Sequence, residues 1–141
     1  MEKVSEAGLT MISGGNTAPS LTFFAGERGE SQYAGYYRTS DNDQNTGAAA
    51  AHFAFEELGI QKIASIHDGD PFTEGQATVF DVTFKELGGE VVFASSVNKD
   101  DQDMQPILQS VAGSGAELLF LSLFRPAGDF IVDQAKDVEG L

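Results

Sequence analysis

No cysteine occurs among the 141 residues, so neither disulfides nor thiolate chemistry can serve this chain, and its redox compartment cannot be read from thiol usage. Basic residues are scarce: 8 Lys and Arg stand against 22 Asp and Glu, a formal net charge of −14. Nucleic-acid affinity rests on cations that displace condensed counterions, so nucleic acid is excluded as a natural partner, and anionic membrane surfaces are disfavoured for the same reason. The acidic residues are spread along the chain, the pattern of a solvated surface. No apolar run approaches the roughly 20 residues of a membrane helix, which argues against direct membrane insertion. Met1 to Glu6 has no apolar stretch behind it to act as a signal peptide. The expectation is a soluble chain with no targeting segment in the residues given.

Other absences bear on chemistry. Neither the dinucleotide fingerprint nor the P-loop pattern follows a strand, so no cofactor motif is present. A serine-hydrolase elbow is missing, and no serine pairs with a His and an acid, so no catalytic constellation marks an enzyme. His52 and His67 lie far apart, and neither has a His partner at metal spacing. Asp41 to Gly47 begins like a calcium loop, but Thr46 stands where the turn needs Gly and His52 where a bidentate Glu is required, so helix capping is the better account. His67, Asp68 and Asp70 form a cluster read as a polar loop closed by its own hydrogen bonds rather than a cation site. Asp68 also stands where a phospho-acceptor would, but the acidic pair and the Lys that accompany such chemistry are not recognisable.

What is present is a repeated alternation of strand and helix. Lys62 to Val97 reads as strand, acidic loop, amphipathic helix, Gly-Gly stop and strand. Ile63-Ala64-Ser65-Ile66 is short and apolar, suited to a strand buried on both faces of a parallel sheet. Thr73 and Gln76 match capping-box spacing, and Ala77, Phe80, Phe84 and Leu87 recur as a core-facing stripe. A strand over Val91 to Ala94, an Asp-capped helix from about Asp103 to Val111, a strand over Leu118 to Ser122 and a helix from about Pro126 to Val138 follow. Upstream, Leu9 to Ser13 is a strand ending in the small-residue loop Gly14 to Pro19, and Tyr36 to Thr39 is a short strand. A helix capped within Ser40 to Asp43 runs to Leu58 and stops at Gly59, with Ala50, Ala54 and Leu58 as its buried stripe beside Phe53. The fold class is α/β, an open parallel sheet with helices on both faces. The irregular stretch Leu21 to Gly35 and the ending after a helix, at Glu139 to Leu141, suggest part of a larger fold.

Met11 to Thr22 (MISGGNTAPSLT), Tyr37-Arg38-Thr39 with Asp41 and Gln44, and Ile63 to Asp68 with Gly75 together resemble the type I periplasmic binding proteins. The nearest likeness is to the branched-chain amino-acid (Leu/Ile/Val) receptors of ABC transporters, over nearly the whole chain and in the same order. The resemblance implies a flavodoxin-like lobe architecture, with residues 1–39 a fragment of lobe 1 and the hinge crossing, and 40–141 an incomplete lobe 2. It implies a non-enzymatic, periplasmic or extracellular protein that encloses a small amino acid or similar solute between lobes and docks to a membrane permease. A sensory receptor ectodomain of the same fold is the alternative.

At the cleft, the resemblance implies that Gly15 and Thr17 hold a ligand carboxylate, with Asn16 between them also a ligand-binding residue, in a loop where glycines let the backbone approach closely and donors are pre-aimed. Phe72 and Phe124 supply aromatic walls from lobe 2, with Asp70 beside them as a turn residue or a ligand contact. Amino-acid-binding relatives commonly carry Tyr at the two Phe positions, so two phenolic hydroxyls are absent here. Arg125 either reaches an anionic ligand or stays solvated.

Overall fold

The computed structural model describes residues 2–22 and 33–141, so most of the irregular stretch Leu21 to Gly35 lies outside the described residues. A short helix α1 (Glu2–Glu6) leads to strand β1 (Met11–Ser13), and a single 3₁₀ turn (Pro19–Leu21) ends the following loop. Strand β2 (Tyr36–Arg38) pairs parallel with β1 in a two-stranded sheet, Ile12 opposite Tyr37. Then come α2 (Asp43–His52), a π-helical run (Phe53–Glu57), β3 (Lys62–His67), α3 (Pro71–Glu86), β4 (Glu90–Ser96), α4 (Gln105–Ser114), β5 (Leu118–Ser122) and α5 (Ala127–Ala135). The second sheet has the order β4-β3-β5, parallel throughout, as the strand–helix alternation predicts. No helix among the described residues is long and apolar enough to cross a membrane.

Strand β3 is central, and Ile63 to Ile66 are buried on both of its faces. Because side chains alternate along a strand, the two faces feed separate cores. Ala64 and Ile66 pack with Met104, Leu108, Val111, Ala127 and Ile131 under α4 and α5. Ile63 packs with Ala51, Ala54, Phe80 and Phe84 under α2 and α3. Ser65 on that second face satisfies its hydroxyl by donating to Asp81 Oδ2 at 2.8 Å. Phe84 reaches so far toward the start of β4 that a Cβ at Gly89 would stand 2.2 Å from its ring. The turn after α3 therefore accepts no side chain there without moving that ring.

Four expectations need correction. The cap of α3 is Asp70, whose Oδ1 accepts the Phe72 amide at 3.0 Å, with Pro71 in the first turn. Proline fits there because its missing N–H has no intrahelical partner, so the helix starts three residues before the Thr73 box would allow. Thr73 lies inside the first turn and turns its hydroxyl on Asp68 instead. In α2 the buried face is Asp43, Gly47, Ala51 and then Ala54, whereas Phe53 and Leu58 are exposed. Small residues let α2 approach α3: a Cβ at Gly47 would stand 2.9 Å from the Gln76 carbonyl oxygen. The π-helical run then shifts the register that a strict four-residue stripe assumes. The N-cap position of α4 is Met104, with no side-chain cap bond, although Asp103 Oδ1 accepts the Gln105 amide at 3.1 Å. Finally, α5 covers only Ala127–Ala135, and Val138 packs on its core from the turn beyond.

Candidate functional site

Loops at the carboxyl ends of β1, β3 and β5 meet around an open cleft of about 460 Å³. Ligand sites of open α/β sheets form at these strand ends, where loops and helix starts are free of packing constraints. The cleft is lined from one side by Gly15, Asn16, Thr17, Ala18 and Leu21, and from the other by Asp70, Pro71, Phe72 and Phe124. All six candidates taken from the sequence (Gly15, Asn16, Thr17, Asp70, Phe72 and Phe124) thus stand around one space. Arg125 does not join them: its side chain is 87% exposed and pairs with Asp129 at 3.3 Å.

The loop after β1 is held by side chains that sequence reasoning did not single out. Ser13 Oγ accepts the amides of Gly15 at 3.3 Å and Asn16 at 3.0 Å, so two donors expected to face the cleft are turned onto their own loop. The long Gly15 contact is the weaker and the easier to exchange. Arg38 donates to the carbonyls of Asn16 at 3.2 Å and Ala18 at 3.0 Å and to the Thr22 hydroxyl. Ser40 Oγ adds a bond to the Asn16 carbonyl at 3.1 Å. An Arg at the end of a short strand is the trace of this clamp in the sequence, because two of its three partners are main-chain carbonyls 20 and 22 residues away. The Thr17 carbonyl accepts the Asp43 amide at 3.0 Å, which fixes the loop to the start of α2. Burial pushes the Asp43 carboxyl above its ordinary value against the opposing effects of the Thr17 hydroxyl and the Arg38 charge.

The other wall is organised by Asp68, which is only 5% exposed. Its Oδ1 accepts the Thr73 hydroxyl at 2.6 Å and the Asp70 amide at 3.1 Å, and its Oδ2 accepts the Phe124 amide at 2.8 Å. One carboxylate therefore ties the loop after β3 to the loop after β5. Burial works to raise its pKa, but those hydrogen bonds and the Lys99 charge together hold it below the usual range. Gly69 donates its amide to His67 Nδ1 at 3.1 Å, completing a loop closed by its own side chains. No cluster of His, Cys, Asp or Glu fit for a metal ion occurs among the described residues.

The rings of Phe72 and Phe124 stack with centroids 5.7 Å apart and planes inclined by 28°. Lys99, from the loop after β4, places its Nζ 2.8 Å from Asp70 Oδ2 and 5.8 Å from the Phe124 ring centre. The wall so formed is apolar on its face and charge-compensated at its rim. Such a cleft can sandwich a small planar or branched apolar group and meet its polar end with loop groups around Thr17.

Comparison with known proteins identifies the family and the fold. A family model described as periplasmic binding protein matches residues 2–140. The amino acid binding protein of Pseudomonas aeruginosa is 28% identical over 136 residues, 96% of this chain and 34% of that protein. The Leu/Ile/Val-binding protein of Escherichia coli is 27% identical over 131 residues, 93% of this chain and 34% of that protein. Among solved structures, the leucine binding protein LivK of Thermotoga maritima superposes with a TM-score of 0.83 at 23% identity, covering 96% of this chain and 37% of that one. A solute binding protein of an ABC transporter from Rhodopseudomonas palustris, in complex with p-hydroxybenzoic acid, gives 0.77 at 24% identity, covering 99% and 37%. The chain thus spans about a third of the length of the curated relatives it matches. With the family matched over almost every residue and the parallel α/β architecture in place, the chain belongs to the periplasmic binding protein family and has the type I fold.

Proposed function

We propose that this chain supplies a ligand-binding cleft of an ABC transporter's solute-binding protein, working in the periplasm or outside the cell and delivering its solute to a membrane permease. Residues 1–39 belong to the first lobe and the crossing, and residues 40–141 to the second, so the cleft lies where the two lobes face each other. Gly15, Asn16, Thr17, Asp70, Phe72 and Phe124 contact the solute. The single observation that carries the reading is their convergence on one cleft from three separate strand ends. Proteins named for leucine, isoleucine and valine binding are among the relatives, which favours a branched-chain amino acid or a related amide or acid.

An aromatic acid is the second reading. It is favoured by the stacked faces of Phe72 and Phe124, which carry no hydroxyl groups, and a structure of the same fold holds p-hydroxybenzoic acid. A thermal-shift screen against amino acids, their amides and small aromatic acids separates the two, since a solute that binds the folded form raises its melting temperature by mass action. At a hundred times its Kd, a solute is expected to add about 2.7 kcal/mol. A cooperative melt that no solute shifts contradicts the proposal.

A further inference from the structure

We propose that Lys99 sets the charge preference of the cleft: by pairing with Asp70 beside the face of Phe124, it neutralises a carboxylate on the wall, so that a solute's own carboxylate is accepted better, relative to the corresponding amide, than it would be beside an unpaired Asp70. This rests on the solute-binding reading above. Both oxygens of Asp70 are engaged, Oδ1 by the Phe72 amide at 3.0 Å and Oδ2 by Lys99 at 2.8 Å, so Asp70 presents little free charge to the cleft it lines. The hydrogen bond from Lys99 holds the Asp70 carboxyl below its usual range and raises the Lys99 ammonium in turn.

Among the described residues, Arg38 and Arg125 are committed elsewhere. Arg38 is bound to the Asn16 and Ala18 carbonyls and the Thr22 hydroxyl, and Arg125 turns into solvent against Asp129. On a chain of net charge −14, a solute carboxylate approaches against the overall field, so the neutralisation of Asp70 matters more to the acid than to the amide that lacks this group. Removing Lys99 leaves the Asp70 charge unpaired at the wall, which disfavours a solute carboxylate more than the corresponding amide.

The test is calorimetric titration of the whole chain with 4-hydroxybenzoate against 4-hydroxybenzamide, and with L-leucine against L-leucinamide. Lys99→Met, which keeps most of the side-chain stem, is expected to reduce the acid-to-amide affinity ratio roughly five- to tenfold. Lys99→Arg is expected to restore that ratio, and adding Asp70→Asn to Lys99→Met is expected to recover part of it. A variant that weakens acid and amide equally shows a merely structural contact and overturns the inference, as does an unchanged ratio. Wild-type protein that binds none of the four solutes overturns the solute-binding reading itself, a result distinct from either.

Discussion

Replacing Phe80 by alanine is expected to remove about 3–5 kcal/mol of folding stability, the usual cost of truncating a fully buried aromatic side chain. Phe80 is 1% exposed and lies between two other rings, Phe120 at 4.0 Å with planes 2° apart and Phe84 at 5.9 Å with planes 13° apart. It joins α3 to the face of the sheet that α2 also covers, beside Ala51, Ala54 and Ile63. Its neighbours are rings and a strand backbone that cannot collapse into the space, so most of the cavity cost is retained. A small domain has only about 5–15 kcal/mol in all, and the variant is therefore expected to melt far below the wild type. Val82→Ala on the same helix, at a position 49% exposed, is expected to change stability by less than about 0.5 kcal/mol. Urea denaturation followed by far-ultraviolet circular dichroism measures both. A Phe80→Ala loss below 1 kcal/mol would show that the stacked rings are not the centre of this core.

Asp68→Ala is expected to cost about 1–3 kcal/mol, because it strands the part-buried amides of Asp70 and Phe124, whose loss water and relaxation partly return. Thr73 suffers less, since its hydroxyl has a second acceptor in the Asp70 carbonyl at 3.1 Å. The loss falls on the cleft, for the same carboxylate positions Asp70 on one loop and Phe124 on the other. Asp68→Asn keeps one acceptor but sets an amide N–H2 or an unfavourable contact against one of the two loops, so an intermediate loss is expected.

The pH dependence follows from the direction of the shift. The folded carboxyl lies below its unfolded value of 3.8, so the folded state favours the ionised form. Its stabilising effect is complete above that unfolded value and is lost as pH falls through the lowered folded one. Asp43 and Asp81 shift the opposite way, both mainly through burial, so the wild-type curve alone mixes the signs. The difference between wild type and Asp68→Asn isolates the group: it is expected to be constant from neutral pH down to about pH 5 and to shrink below 3.8. A difference that grows on acidification would contradict the assigned hydrogen bonds.

Hydrophobic periodicity made the succession from β3 to α5 legible, because burial of one face leaves a period of two or 3.6 residues in the sequence. The same argument failed in α2. There the buried face is made of Gly and Ala, whose value lies in the close approach to α3 and not in their hydrophobicity, while Phe53 and Leu58 stay exposed. The start of α3 was misplaced because Thr73 to Gln76 and Asp70-Pro71 are both acceptable starts by local chemistry. The choice between them depends on Asp68, a residue whose partners lie 5 and 56 positions away.

Candidate site residues were placed through family resemblance and strand-end position, and the cleft brings all six to one wall or the other. The network that holds them (Ser13, Arg38, Asp43, Asp68 and Lys99) was not legible as such. Ser13, Arg38 and Asp68 act largely on main-chain groups, which leave no residue-specific pattern, and the Lys99–Asp70 pair spans 29 positions. Cysteine content and motif absence narrowed the chemistry but could not show which loops meet.

The central claim, that the cleft between the two walls binds a small solute, is tested most directly by titrating ¹⁵N-labelled chain with L-leucine and with 4-hydroxybenzoate and following the amide resonances. The account predicts that at least one of them shifts the amides of Gly15, Asn16, Thr17, Phe72 and Phe124 together, in a saturable manner. Saturable shifts confined to the apolar hollow beside Glu117, Leu119 and Gly140 at the opposite strand ends, or no saturable shift with either solute, would contradict it.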